Sequence, residues 1–539
     1  MASVHELQPV GEPLDKSSSN VRVTQAEEFQ DQDVIELARA GKKQVLRRNF
    51  ALVSMIGFAC SLMGTWEGVL VVFLLGYQNG GPAGLIYGFL FIWFGTFCTF
   101  VTMSELASMV PTAGGQYHYV SILAPKSSKK FLSYVTGWAT VMGWIAATTA
   151  GAFFTSELIE GLAIQNSSDY VPAGWKGTLI FWAVLFFCVL INGFLSRALP
   201  ILEVAILILH ILGFFAIIIP LVHLGPHGNA KEIFTTFVNS GWETQTLSFF
   251  IGLNGNIAAF TGADSAIHMS EEVKHASLNV PRSMLLSVFI NGLLGLGMLL
   301  AVLFCAGDLD KAADSPTGFP FIAIFNDAVG STKGANTMVS IVVLMSVAGA
   351  IAALASASRM IWSFARDRGL PWASSLSSVH SKTAIPLIAI FVVTICSALI
   401  GIINIGSSDA FNAVVSLVVE AFATSYLVPC SLLLYRRLKG QILEPNSNFD
   451  LTSTDKQLKW GKWRAKGWLG VVANVITCVY LLIVCFFAFW PATKPVTAVN
   501  MNYSSLVLGT VVIASLTYYL LWAKKIYRGP IIEVRVHAL

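Results

Sequence analysis

Residues 253–282 read L-N-G-N-I-A-A-F-T-G-A-D-S-A-I-H-M-S-E-E-V-K-H-A-S-L-N-V-P-R. The stretch opens as an apolar helix suited to a membrane. Gly252 stands just before it and Gly255 and Gly262 run through it, with Asn254, Asn256, Thr261 and Asp264 among them, and it ends in a charged segment before Pro281. An ordinary spanning helix has no reason to carry an acid and three glycines through its middle. At membrane depth an opened helix is tolerated only where it lines a cavity or is buried in protein. A broken helix is also the best sequence pointer to a transporter's binding site. The stretch is therefore expected to be half of a substrate site.

The composition sets the class. Of 539 residues, 55% are hydrophobic and 12% charged, about half the charge of a soluble domain. Apolar runs near 20 residues recur along the chain, so an all-α polytopic membrane protein is expected. Twelve transmembrane helices are expected, near 50–76, 83–110, 131–161, 177–195, 199–223, 246–272, 283–306, 336–365, 385–404, 410–435, 467–490 and 504–526. The polar first 49 residues carry no cleavable signal pattern. Residues 1–49 read as a cytosolic tail, disordered over 1–34, with a basic amphipathic segment at 35–49. That segment either touches anionic lipid or sets topology as a positive flank. The eight cysteines all fall in apolar runs without paired spacing, as small buried hydrophobes do.

Charge chooses the orientation. With a cytosolic N-terminus, 29 of the 34 Lys and Arg residues fall inside and five outside, a strong positive-inside pattern. Both termini, the 436–466 loop and residues 527–539 are then cytosolic. The sequons at Asn166 and Asn502 both fall outside, as candidate glycosylation sites.

The other half of the site lies in the first span, N-F-A-L-V-S-M-I-G-F-A-C-S-L-M-G-T-W-E-G-V-L from Asn49. Gly57, Gly64 and Gly68 interrupt it, and Ser61, Thr65 and Glu67 lie inside it. One such glycine reads as close helix packing. Two matched clusters in spans 1 and 6 read as a paired site between repeats. Half-helix N-termini there suit an anionic group. Trp66 and Phe260 are placed to stack on an ammonium or to close the site.

Several stretches resemble a known family. S-E-L-A-S-M-V-P-T-A-G-G-Q-Y-H-Y-V (104–120), S-R-A-L-P-I-L-E (196–203), G-A-D-S-A-I-H-M-S-E-E-V-K-H-A-S-L-N-V-P-R (262–282), A-S-R-M-I-W-S-F-A-R-D-R-G-L-P (357–371) and S-Y-L-V-P (425–429) are similar to the amino acid–polyamine–organocation (APC) superfamily. Within it they most resemble the fungal amino acid/choline transporter branch, which includes choline and GABA permeases. The resemblance covers about residues 40–527. It implies a five-plus-five inverted-repeat (LeuT-like) fold with discontinuous helices 1 and 6 and two extra C-terminal helices. The repeats would be 50–223 and 246–435, with helices 11 and 12 in 467–526. It implies carriage of a small amine or amino acid by alternating access, coupled to protons more often than to sodium. By position, Ser61, Gly64, Thr65 and Trp66 would form the first-helix part of the site, and Phe260, Thr261 and Gly262 the sixth-helix part.

Ionisable residues within spans are functional candidates. Asp264, beside the break, is the first candidate for proton coupling; its alternative is an acid hydrogen-bonded to freed backbone. Glu203 and His210 are seven apart in the fifth span and share a face. Some relatives keep a lysine in that helix; this span has none, which leaves the proton carrier open. The alternative for Glu203 is a pair with Arg197. Glu67, Glu105 and Glu157 are further candidates, and Glu420 in the tenth span is placed to meet a cationic head group. Glu271, Glu272, Arg366, Asp367 and Arg368, with Lys274 and Arg282, suggest an inner gate of ion pairs or solvated flanks.

The expected function is a secondary active transporter (permease) of choline, GABA or an amino acid, multi-pass and most naturally in the plasma membrane. A sensor on the same fold without turnover, or an exporter of an amine-containing metabolite, is the alternative. An enzyme is not expected: the chain lacks HExxH, GxSxG and Walker A patterns. The expected partners are the small-molecule substrate and the lipid bilayer, with no nucleic acid, metal or cofactor and H+ as the coupling ion.

Overall fold

The computed structural model describes residues 25–406, 408–445, 458–498 and 500–534. Most of the expected N-terminal tail, the middle of the 436–466 loop and residues 535–539 lie outside the described residues.

Helix α1 covers Gln25–Arg39. The first apolar run forms α2 (Leu52–Met63) and α3 (Thr65–Val71), divided at Gly64. α4 (Phe73–Met109) is kinked where Gly81 takes φ 63° and Pro82 lacks an amide donor. The short α5 (Gln116–Leu123) leads to α6 (Lys129–Asn166), α7 (Gly174–Phe194) and α8 (Leu199–Leu224). After α9 (Ala230–Thr235), the glycine-bearing stretch forms α10 (Gln245–Ala259), a turn and α11 (Ser265–His268). A 3-10 turn at Ser270–Glu272 precedes α12 (Ala276–Cys305). α13 (Leu309–Ala313), α14 (Pro320–Val329), α15 (Thr332–Arg366) and α16 (Ala373–Leu376) follow. Then come α17 (Leu387–Ile400), α18 (Ile403–Gly406) and α19 (Ser408–Leu438). α20 (Trp468–Phe487) and α21 (Ser504–Tyr518) complete the set. Two-residue parallel strands, Ile442–Leu443 and Leu458–Lys459, pair between α19 and α20.

Among the described residues, ten helical stretches are long and apolar enough to cross a membrane. They account for ten of the twelve expected positions. α6 occupies another; it is 38 residues long but rich in threonine, and is not among the ten. The hydroxyls of Thr136, Thr140, Thr148, Thr149 and Thr155 each donate to the carbonyl four residues back. This satisfies them inside a buried helix without a partner helix. The sixth position is held by α10 and α11, neither long enough alone.

α6 packs chiefly on α15 and α19, α4 on α10 and α12, and α2 on α8 and α12. Of the six expected glycine interruptions, Gly64 and Gly262 lie at breaks, whereas Gly57, Gly68, Gly252 and Gly255 lie inside unbroken helices. Gly57 lets α2 lie against the Glu203 carbonyl, and Gly255 lets α10 lie against Gly76 and Val72. All eight cysteines are free.

The N-terminal expectation needs correction. α1 lies partly inside the stretch assigned to a disordered tail. Asp33 accepts from the amides of His275 and Ala276 at 2.8 and 3.2 Å, capping the start of α12. Part of the basic segment is folded onto protein, while Lys43 and Arg47 are exposed. Arg48 donates to the Ser270 and Val273 carbonyls, Gln44 to that of Glu271, and Lys42 is buried against Asp367.

The α4–α12 contact leaves no room for side-chain growth at Gly292, where an added carbon would overlap the Trp93 ring. Gly292→Val is expected to destabilise the protein by about 1–3 kcal/mol through overpacking. The check is the thermal midpoint of the purified protein, and an unchanged midpoint would contradict this packing.

Candidate functional site

The two helix breaks meet. Gly64 adopts a left-handed conformation, φ 43° and ψ 49°, which ends α2 and starts α3. Gly262 sits at φ 113°, and a side-chain carbon there would overlap the Leu62 side chain. Only glycine meets both the backbone and the space requirement at that position. Ser61, Leu62, Met63, Gly64, Thr261 and Gly262 thus line one cavity of about 170 Å³.

The break in the second helix is a compact turn rather than an open strand. The Phe260 amide donates to the Ile257 carbonyl, and the Thr261 hydroxyl donates to the same carbonyl at 3.0 Å. The Ser265 amide donates to Gly262. At the first break, the Thr65 amide donates to Asn291 Oδ1 at 2.9 Å. Asn291 belongs to α12 and was not among the expected site residues; an asparagine in the middle of an apolar span is the signal that marks it.

The expected site residues divide. Ser61, Gly64, Thr261 and Gly262 line the cavity. Thr65 is buried behind it. Trp66 turns away: its Nε1 donates to His210 Nδ1 at 3.1 Å and its ring meets Phe214 edge-on. Phe260 packs on Phe89, with ring centroids 4.9 Å apart, and lines a smaller void of about 40 Å³ with Tyr426 and Tyr480. The aromatic rings of the main cavity are Phe154 and Phe422 instead. α19 presents Val415, Val418 and Phe422 to the cavity, at helical spacing. Glu420 lies off that face and accepts from Ser504 Oγ, toward α21.

The buried ionisable groups form three clusters. Asp264 is fully buried outside the cavity lining; Gln116 Nε2 donates to its Oδ2 at 2.9 Å, and His268 Nε2 lies 3.7 Å away. Glu203 accepts from Ser61 Oγ at 2.8 Å rather than pairing with Arg197, which donates to the Lys382 carbonyl. His210 Nδ1 lies 2.7 Å from Glu67 Oε1, and Glu67 lines the cavity. The shared face of Glu203 and His210 on α8 therefore meets α2 and α3 at two cavity residues. Glu105 pairs with Arg437 and accepts from the Ala465 amide.

The face carrying the termini is closed by buried ion pairs, not by solvated flanks. Arg366 forks onto Glu271 through Nη2–Oε1 at 2.7 Å and Nη1–Oε2 at 3.1 Å. Arg359 Nε donates to Glu272 Oε1 at 2.8 Å. Asp367 accepts from Lys42, from Tyr117 Oη at 2.7 Å and from the Ile531 amide at 2.8 Å. Arg368, Lys274 and Arg282 are exposed. Of the two sequons, Asn166 is exposed, while Asn502 is buried and its amide nitrogen donates to the Ala488 and Trp490 carbonyls.

Gly262→Ala is expected to remove ligand binding without lowering the amount of protein in the membrane. A left-handed alanine costs roughly 1–2 kcal/mol, and its methyl collides with Leu62. Binding that survives the substitution would break the link between this contact and the cavity.

Known proteins resemble the whole of this arrangement. The amino acid permease family profile matches residues 50–513. A Macrophomina phaseolina protein named as an amino acid/polyamine transporter is 31% identical over 452 residues, covering 84% of this chain and 97% of that protein. The choline transporter of Saccharomyces cerevisiae is 28% identical, covering 89% of this chain and 82% of its own length. The GABA-specific permease of the same yeast is 27% identical, covering 92% and 85%. With both helix breaks inside the matched region, the chain belongs to the amino acid permease family of the APC superfamily.

Proposed function

We propose that this chain is a secondary active transporter of a small amine or amino acid that works by alternating access and is driven by protons. The observation that carries the reading is the meeting of two interrupted helices at one cavity of about 170 Å³. That volume lies below the roughly 300–1,000 Å³ of drug-sized sites, which supports a small solute. The reading includes twelve spans, with α6 and the α10–α11 pair added to the ten, arranged as five-plus-five repeats. The corresponding positions of the two breaks support that arrangement. The 29-to-5 division of basic residues supports cytosolic termini in the plasma membrane.

In this cycle the ion pairs around Glu271, Glu272 and Asp367 form the inner gate. Opening it separates a bidentate arginine–carboxylate pair, so another interaction must replace it as the gate opens. Asp264, Glu203 and His210 are the proton carriers. Glu203 leads among them because its hydrogen-bond donor, Ser61, itself lines the cavity.

The test is radiolabelled uptake of choline, GABA and amino acids at several pH values, in cells lacking their own permeases. Uptake above the empty-vector level that rises as external pH falls is the expected result; none for any substrate would sink the transporter reading. Glu203→Gln should flatten the pH dependence while counterflow exchange continues. Unaltered pH dependence in that variant removes Glu203 as carrier.

The sidedness has its own check. Endoglycosidase treatment should shift the wild type and Asn502→Gln on a gel, but not Asn166→Gln. A shift that depends on Asn502 instead would contradict the burial of its amide.

A further inference from the structure

Among the described residues, the lining of the cavity between the breaks includes one acid and no lysine, arginine or histidine. Its other polar side chains are the hydroxyls of Ser61, Thr261 and Ser346. Glu67 is 5% exposed. Its two carboxylate oxygens differ. Oε1 faces His210 Nδ1 at 2.7 Å. Oε2 has no hydrogen-bond partner and lies beside Gly64, 3.5 Å from where a side-chain carbon on that glycine would sit.

The charge on Glu67 depends on its histidine. His210 is fully buried, and its Nε2 also has no partner. An imidazolium would point a charged N–H from Nε2 at nothing, which is costly in a buried site. A neutral ring with its proton on Nδ1 avoids this: Nδ1–H donates to Glu67 Oε1, Nε2 carries only a lone pair, and Trp66 Nε1, 3.1 Å away, gives up His210 as its acceptor. In that state the Glu67 charge is oriented by His210 but not neutralised. A buried carboxylate with one unpartnered oxygen, on a side chain that lines a cavity, calls for a cation.

One amide at the first break is not free for a substrate carboxylate. The Thr65 amide at the start of α3, placed to meet a substrate carboxylate, already donates to Asn291.

We propose that Glu67 Oε2 receives the charged nitrogen of the substrate, and that the site takes a small organic monocation of the ammonium type in preference to a zwitterion. The methyl and methylene groups of such a cation would lie against Met345, Phe154 and Phe422. The proposal rests on the transporter reading only for its use in a cycle; the binding site itself is read from the geometry.

The experiment measures thermal stabilisation of the purified full-length protein. The probes are choline, its uncharged carbon isostere 3,3-dimethyl-1-butanol, ethanolamine, GABA and alanine. Choline or ethanolamine should stabilise the wild type, with the isostere and the zwitterions weaker by about tenfold or more, as expected for loss of a charge-assisted contact. Glu67→Gln should lose the same preference, and Glu67→Asp should keep part of it. The wild-type comparison needs no variant, so a misfolded Glu67→Gln leaves the proposal testable. Equal stabilisation by the isostere, preference for GABA or alanine, or no response to either cation overturns it. Cation binding without uptake in cells would support the site and sink the transporter reading; uptake of zwitterions alone would do the reverse.

Discussion

The structure turns on one close approach. Gly262, without a side chain and at φ 113°, receives Leu62 from the facing break. Two helices that each lose continuity at depth leave polar backbone groups that lipid cannot satisfy. Pressed together and surrounded by α12 and α15, they need only a few specific partners. Asn291 takes the Thr65 amide, and Thr261 returns its hydroxyl to the Ile257 carbonyl. An unsatisfied buried group would cost about 1–3 kcal/mol. The cavity is what remains between the breaks once those groups are satisfied. Its lining is therefore small-residue and hydroxyl-rich on one side and apolar on the other.

The closed face depends on a different kind of interaction. Removing one partner of a buried ion pair is costly, while the intact pair contributes little net stability after desolvation. Such pairs suit an element with two arrangements, because they discriminate between made and unmade more sharply than they stabilise. Here they join the continuation of the second broken helix, at Glu271 and Glu272, to the end of α15 at Arg359 and Arg366. Lys42 and Ile531 tie both ends of the chain to Asp367. The Gly262 turn and this face are thus joined through one short segment, Ser265–Glu272.

Much of this was legible in the residues. The apolar runs marked twelve spans, ten of which are long apolar helices among the described residues, and glycine with polar neighbours marked both breaks. The sequence pattern did not separate glycines that break a helix from those that let helices touch. Gly64 and Gly262 turn left-handed, whereas Gly57 and Gly255 only make room, and that difference is set by the neighbouring helix. Direction was also hidden. Trp66 and Phe260 sit at the breaks yet face away from the cavity, because His210 and Phe89 hold them. Glu420 shares a helix with Phe422 but not a face. Asn502 satisfies the sequon rule and is nevertheless enclosed by the Ala488–Trp490 turn. Each of these depends on a partner far away in the chain, which spacing within one helix does not encode.

The seven-residue spacing on α8 carries more meaning in the structure than in the sequence. Glu203 and His210 lie two turns apart, and each ends on a different residue of the broken helix, Ser61 and Glu67. Both of those residues line the cavity. A proton added to Glu203 changes the acceptor that Ser61 sees; a proton moved along the His210–Glu67 contact changes the charge facing the cavity. His210 Nδ1 lies within reach of both Trp66 Nε1 and Glu67 Oε1. It cannot accept from the first while donating to the second. The two contacts correspond to different positions of one proton. The two ionisable residues of α8 thus reach the cavity through two different residues of the broken helix, each by one hydrogen bond.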